Sequence, residues 1–294
     1  MSAPKDMRRV PFRIPLRVPV GEVTERVGEL LEGPSGWGEY SPLPSWSADE
    51  RAAAQRAAIE AATEPFPKQL REQVEVNAMI PRVAPHDAAR MAVESGCRTI
   101  KIKVGDPASI ERVAAVRDAL PDARIRLDAN GSLDADIVGV MLAMLSRYDI
   151  EYVEDPLPTL EQLAHLRKGS SILIAAEQSV RTLDDAKRLR ALDAADVVVI
   201  KPQRIGGARV ALAAAEEAGV PAVASSALET SVGLAMVVAV AAALPDAPFA
   251  HGVGTAALLE RDVVRDPLVP VDGMITPRRP EVLEALDGLG GLDG

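Results

Sequence analysis

From Val74 onward the chain alternates short apolar, β-branched runs with Ala-rich segments, and this alternation restricts the fold more than any other feature. The runs are VEVNAMI, TIKIKV, RIRLDAN, IEYVEDP, ILIAAEQ, DVVVIKP, VPAVASSAL and PFAHGVG. Between them lie stretches of helical composition, such as Pro107–Leu120, Asp134–Tyr148, Thr159–Lys168, Thr182–Leu192, Ala208–Ala218 and Ser231–Leu244. Strands that alternate with helices imply βαβ units and a parallel sheet. Eight strands in a chain of this length fit a closed barrel better than an open sheet.

Residues 1–73 do not follow that alternation. Val10–Val20 and Glu25–Glu32 read as extended segments. Ala48–Thr63 reads as a helix, with Ser47 as its N-cap and Glu50 in its first turn. Strands followed by a helix suggest a small α+β unit. After Pro270 comes a tail expected to form a turn and a short helix. No low-complexity linker separates these parts, so the small unit should pack on the barrel.

Composition removes several function classes. Acidic residues outnumber basic ones 43 to 33, giving a net charge of −10. No Lys/Arg stripe exists, so nucleic acid is not expected as a partner. The N-terminal segment is basic but broken by prolines and lacks the apolar core of a signal peptide. The longest uncharged stretch, Thr230 to Pro245, is shorter than the roughly 18–20 residues a membrane span needs. A cytoplasmic protein with no membrane partner is expected. The lone Cys97 forms no internal disulfide and reads as core. The three histidines are scattered without zinc-ligand spacing. The oligomeric state is not readable.

Charged residues stand at the ends of five successive runs: Lys101 and Lys103, Asp128, Glu154, Glu177 and Lys201. Charges are rarely buried unless paired or bound to a metal. Asp128, Glu154 and Glu177 are spaced 26 and 23 residues apart, about one strand–helix repeat each time. They should therefore occupy equivalent strand ends. Three carboxylates with no Cys or His suit a hard divalent ion such as Mg²⁺, with Mn²⁺ also acceptable. For any one of them, capping a helix or pairing with an arginine remains open. Lys101 and Lys103, two apart on a strand, face the same side. Lysines in a desolvated site can act as proton-abstracting bases, or they can simply neutralise the carboxylates.

The K-x-K of Lys101–Lys103, D-A-N at Asp128, E-D-P at Glu154, the acidic residue before Q-S at Glu177, and the K-P lysine Lys201 together resemble the enolase superfamily, in its muconate-lactonizing subgroup. The resemblance covers about residues 35–260. It implies a (β/α)7β-type TIM barrel at 74–272, under an α+β capping domain at 1–73 joined by the C-terminal tail 273–294. It implies Asp128, Glu154 and Glu177 as metal ligands and Lys103 as base, with Lys201 opposite it. Lys101 would depress the pKa of Lys103 by like charge and contact a substrate carboxylate. Asn130, Ser225, Ser226, Glu229 and Gly254 are the remaining substrate-side candidates. The pattern departs in two places. Glu177 stands where Asp is usual, so Asp155 or Asn130 could substitute as ligand, and Asp155 stands where the subgroup often has Gln.

The segment GWGEYSPLPSWS (Gly36–Ser47) is similar to a stretch of the o-succinylbenzoate synthase family, as are SSALETS (Ser225–Ser231) and HGVGT from His251. On composition alone the first is a Gly/Pro-rich loop with aromatics, able to cover a site or to fill a domain interface. The family resemblance implies a lyase of menaquinone synthesis acting on a small carboxylate. Racemisation of N-acylamino acids or epimerisation of dipeptides uses the same two lysines and stays open. A non-catalytic barrel is disfavoured by the complete set of charged residues.

Overall fold

Period-two alternation builds the N-terminal sheet. In β1 (Arg9–Val20), Phe12, Ile14 and Leu16 point inward, while Pro11, Pro15 and three arginines point out. Proline lacks an N–H, so it is tolerated on an edge strand, and β1 is the edge of the three-stranded order β1-β2-β3. β2 (Val23–Gly33) and β3 (Gly36–Tyr40) complete this antiparallel sheet. The first half of GWGEYSPLPSWS is therefore strand β3, not loop. Helix α1 (Ala48–Thr63) starts at a capping box formed by Ser47 and Glu50. It packs its alanine face on β3 so closely that a Cβ at Gly38 would collide with the Ala58 carbonyl oxygen.

The molecule is a computed structural model that describes residues 7–284. Its main sheet is parallel, in the unbroken order β5 (Asn77–Ile80), β6 (Thr99–Lys103), β7 (Arg124–Asp128), β8 (Ile150–Glu154), β9 (Leu173–Ala176), β10 (Val197–Ile200), β11 (Ala222–Ala224). The eighth run is reduced to two bridged residues that join the sheet edges. His251 pairs with Val76 and Gly252 with Ser225, both in parallel. The ring is thus closed. Each of the seven strands is followed by helix: α2 (Pro85–Glu94), α3 (Ser109–Ala119), α4 (Val138–Leu145), α5 (Leu160–Arg167), α6 (Leu183–Leu192), α7 (Pro202–Ile205) with α8 (Ala208–Ala218), and α9 (Ser231–Ala243). This is the (β/α)7β-type barrel with a small α+β unit packed on it.

Not all of VEVNAMI enters the barrel. Its first residues form β4 (Val74–Glu75), which pairs with β12 (Met274–Ile275) of the tail. Arg279 of the tail donates to the carbonyls of Ala61 and Glu64 at the end of α1. No helix forms in the tail through residue 284, and residues 285–294 lie outside the described residues. Helix α9 is buried from Ser231 to Ala242 because it packs on both the barrel and the N-terminal sheet, which accounts for its apolar surface all round. No described helix is long and apolar enough to cross a membrane.

Strand residues that face the helices are aliphatic: Ile100, Ile102, Ile125, Leu127, Val153 and Ile174 are fully buried. Those facing the barrel axis are different. Among them, Tyr152, Ala175, Val197, Val199 and Val223 form an apolar plug. Arg126 crosses it fully buried, stacked 4.6 Å from the Tyr152 ring, and donates to Asn77 and the Ala250 carbonyl. Beside it, His251 accepts a hydrogen bond from the Ala224 N–H through Nδ1. Burial, and then Arg126 and Arg71, push this imidazole down to about 3. The folded-state value lies below the unfolded one, so the unfolded chain binds more protons in between. His251 should therefore contribute stability above pH ~6.5 that is lost as pH falls toward ~3, on the order of a few kcal/mol in total. Urea midpoints at pH 4.5, 5.5 and 6.5 should rise with pH, and His251→Asn should flatten that slope. An unchanged slope would show that other groups carry the acid sensitivity.

Candidate active site

The C-terminal ends of β6 to β10 gather the charged residues. Register places Lys103 beside Asp128, and Asp128 beside Glu154. Glu177 follows β9 and Lys201 follows β10, one residue beyond each strand. In the eight-membered ring β6 and β10 are four positions apart in either direction, so Lys103 and Lys201 lie across the mouth from each other. The three intervening strands carry the carboxylates.

Every predicted charge is engaged. Lys103 Nζ is 2.7 Å from Asp128 Oδ2 and 2.7 Å from Asn130 Oδ1. Lys101 Nζ is 3.1 Å from Asp128 and 3.2 Å from both Glu154 oxygens. Lys201 Nζ is 2.7 Å from Glu177 Oε2. Burial by itself would lower the Lys101 amine, but Glu154 and Asp128 outweigh it and hold the amine above the ordinary lysine range. Lys101 is thus a fixed cation between two carboxylates. Burial opposes ionisation of Asp128 as well, yet Lys103 and Lys101 hold it well below the usual range. Burial and the neighbouring Asp128 push Glu154 up. Burial, Glu177 and Glu154 push Asp155 well up. Lys201 and Arg204 overcome the burial of Glu177 and lower it.

These residues fit a hard divalent cation. Among the described residues, Glu154, Asp155 and Glu177 form the group whose ligand atoms all lie within 4.8 Å of one another. All donors are carboxylate oxygens, and burial first, then the neighbouring carboxylates, raise Glu154 and Asp155; a cation would relieve the second of these. The departure at E-D-P therefore has a structural counterpart, because Asp155 joins the cluster. Its two oxygens accept the backbone N–H groups of Glu177 and Gln178, at 2.9 and 3.0 Å. Asp128 instead faces the two lysines.

Other candidates sit farther back. Ser226 Oγ is 2.6 Å from Thr255 Oγ1. The Ser225 N–H donates to the carbonyl of Ile200, next to Lys201. Glu229 is fully buried behind the Ser225–Thr230 turn, where it accepts from the Ala227 N–H and lies 3.5 Å from Gln203 Nε2. Gly254 lines a cleft of about 320 Å³ between β5, α2 and residues 257–270, together with Asn77 and Met79. Neither Glu229 nor Gly254 is drawn into the ring of lysines and carboxylates.

Two features are not legible in the sequence. Glu50 Oε1 accepts from Arg204 Nε at 2.6 Å, and Arg204 Nη1 reaches Glu177 Oε1 at 2.8 Å. The N-terminus of α1 is thereby wired to a carboxylate of the barrel mouth. Glu39 of β3 is also buried there, in contact with Ser41, Thr230 and Gly233. The spacing from Ser47 marks Glu50 only as a cap partner, and the GWGEYSPLPSWS stretch contains Glu39 but does not indicate its partners.

A barrel with this ring of lysines and carboxylates, under a small α+β unit, defines a family. Residues 84–290 match the enolase C-terminal domain-like family and residues 11–62 the enolase N-terminal domain-like family; the chain belongs to the enolase superfamily. It is 48% identical over 279 residues to the o-succinylbenzoate synthase of Thermobifida fusca, covering 93% of this chain and 88% of that one. The o-succinylbenzoate synthase of Mycolicibacterium smegmatis is 38% identical, over 89% of this chain and 83% of its own. In fold, the chain matches a muconate lactonizing enzyme from Pseudomonas fluorescens with a TM-score of 0.83 at 18% identity, covering 96% and 95% of the two chains. It matches a dipeptide epimerase from Enterococcus faecalis with a TM-score of 0.80 at 23% identity, covering 94% and 97%. Enzymes of this family use a divalent metal and act on small molecules.

Proposed function

We propose that the chain is an o-succinylbenzoate synthase, a hydro-lyase that removes water from 2-succinyl-6-hydroxy-2,4-cyclohexadiene-1-carboxylate in menaquinone synthesis. The 48% identity to such an enzyme across 93% of the chain carries the reading, and the ring of charges supplies the chemistry. Residues 1–73 with the tail 273–294 are read as the capping domain over a barrel at 74–272, and the site as serving a cytoplasmic enzyme.

Lys103 is assigned as the base. Its Nζ takes the ring proton next to the substrate carboxylate, and the C–H electron pair moves toward that carboxylate. The C–O bond of the ring hydroxyl then breaks, and Lys103 returns its proton to the departing hydroxide on the same face, releasing water. The ring becomes aromatic, which supplies driving force. Lys201, on the opposite face, offers a cation to the developing charge and to the ring π system. Lys101 holds Asp128 and Glu154 in place. Asp128, Glu154 and Glu177 would hold a divalent ion, Mg²⁺ or Mn²⁺, which supplies Lewis-acid stabilisation of the enediolate charge when bound. Asn130 and the Ser225–Ser226 turn face the substrate end of the site.

The assignment of ligands is separable from that of Asp155. Asp128→Asn should weaken Mn²⁺ binding by more than about 100-fold, while Asp155→Asn, which disturbs the backbone around Glu177, should cost about 10–100-fold, as supporting residues of metal sites do. Calorimetric titration of metal-free protein gives both values. The reverse ranking would make Asp155 the ligand.

Opposed lysines also suit racemisation of N-succinylamino acids or epimerisation of dipeptides, where each lysine serves one face. Assays of the same purified protein on the cyclohexadiene and on N-succinylamino acids decide between them. The proposal expects kcat/KM for dehydration to be the larger. Racemisation without dehydration would overturn it.

A further inference from the structure

The turn that follows β11 is held in an unusual shape from outside the barrel. Leu228 has φ of 67°, in the left-handed region that bulky residues seldom occupy. Its carbonyl accepts from Nε of Arg26, a residue of β2, at 2.9 Å. The Arg26 guanidinium also donates to the Ser41 carbonyl and, at 3.0 Å, to Ser41 Oγ. Beside it, Glu39 of β3 reaches over the N-terminus of α9. One of its oxygens accepts from Ser41 Oγ at 2.6 Å and from the Thr230 N–H at 3.2 Å. The other accepts from Thr230 Oγ1 and from the Gly233 N–H at 2.9 Å. All four partners donate, which favours the ionised form against the burial that raises this carboxyl to about 7. Residue 233 has no room for a side chain, since a Cβ would lie 2.8 Å from Glu229 Cβ and Cγ and 2.9 Å from Glu39 Oε2. Arg26, Glu39 and Glu229 are all buried, and each contacts the same turn.

We propose that Arg26 and Glu39 are positioning residues for substrate binding: they clamp the Ser225–Thr230 turn, with Leu228 left-handed, in the form that presents Ser225 and Ser226 beside Lys201. The inference rests on the reading above that this turn faces the substrate end of the site. The N-terminal sheet thus sets the shape of a binding element that belongs to the barrel. Neither residue touches the reacting atoms, so the clamp should govern affinity and leave the proton transfers alone.

The test is steady-state kinetics of Glu39→Gln and Arg26→Lys on the cyclohexadiene. Glutamine is isosteric but turns an amide donor toward a ring of donors, and lysine cannot span both the Leu228 and Ser41 acceptors. Each variant should raise KM about tenfold or more with kcat within about threefold, the pattern of lost uniform binding. Mn²⁺ affinity should be unchanged. The decisive arm is Arg26→Lys combined with Leu228→Gly, since glycine adopts the left-handed conformation without help. KM should return toward the parent value while the melting temperature falls further, because a buried leucine is lost. If Glu39→Gln does not fold, Ser41→Ala, which removes one donor to the same carboxylate, replaces it. Unchanged KM in the single variants, a fall in kcat at fixed KM, or no recovery in the double variant would overturn the proposal. A parent protein that does not dehydrate the cyclohexadiene defeats the proposed function alone. The KM comparison is then made on N-succinylamino acid racemisation, whose substrate would meet the same turn.

Discussion

Lys103→Ala is expected to lower kcat for dehydration by about 10²–10⁴-fold, the usual worth of a positioned general base. No neighbour can replace it. Lys101, two residues away on the same face, is held between Asp128 and Glu154 and is more deeply buried, with 8% of its side chain exposed against 17% for Lys103. Lys201 stands across the ring on Glu177. The fold should persist, because the substitution frees Asp128 from one of two lysines and leaves the other in place. Single-turnover rates with far-UV circular dichroism check both statements. A loss below about tenfold would mean that proton removal belongs to another group.

Glu154→Gln is expected to have the other large effect. Glu154 is 1% exposed at the end of β8, between Lys101 on one side and Asp155 and Glu177 on the other. The amide keeps its volume but loses the charge that a hard cation needs. Mn²⁺ affinity and kcat/KM should each fall by at least about 100-fold, more than loss of an outer supporting group costs. Thermal unfolding of the metal-free protein should change little, since burial and Asp128 oppose the charge on this carboxyl and Lys101 keeps Asp128 as a partner. Retained metal binding would remove Glu154 from the ligand set.

The barrel and its charged mouth are legible in the sequence because the parallel sheet imposes a strict code. Residues facing the helices must be aliphatic, so a Lys, Asp or Glu at the end of a β-branched run can only face the axis or the mouth. The spacing from Asp128 to Glu154 to Glu177 then follows from the strand–helix repeat. Strand β3 is not legible because Gly36–Tyr40 has no β-branched residue; β2 and the alanine face of α1 decide its state. The eighth run reads as strongly as the others but forms only the bridges at His251 and Gly252, enough to close the ring. What local sequence does not convey is pairing across the two parts of the chain. Glu39 meets Thr230 from 191 residues away, and Glu50 meets Arg204 from 154. Neither spacing belongs to any helical or strand period. Arg126 is hidden for a similar reason, since its partners Asn77 and Ala250 come from the strands that close the ring.

Deuterium wash-in tests the division of labour between the two lysines most directly. The substrate is an analogue that keeps the acidic C–H beside the carboxylate but lacks the leaving hydroxyl, so proton removal is read by mass spectrometry without dehydration. Lys201→Arg keeps a cation with a planar, misplaced geometry. It should lose much dehydration yet still exchange the proton through Lys103, whereas Lys103→Ala should not exchange it. Exchange that survives in Lys103→Ala and vanishes in Lys201→Arg would contradict the account, making Lys201 the base and Lys103 the stabilising cation.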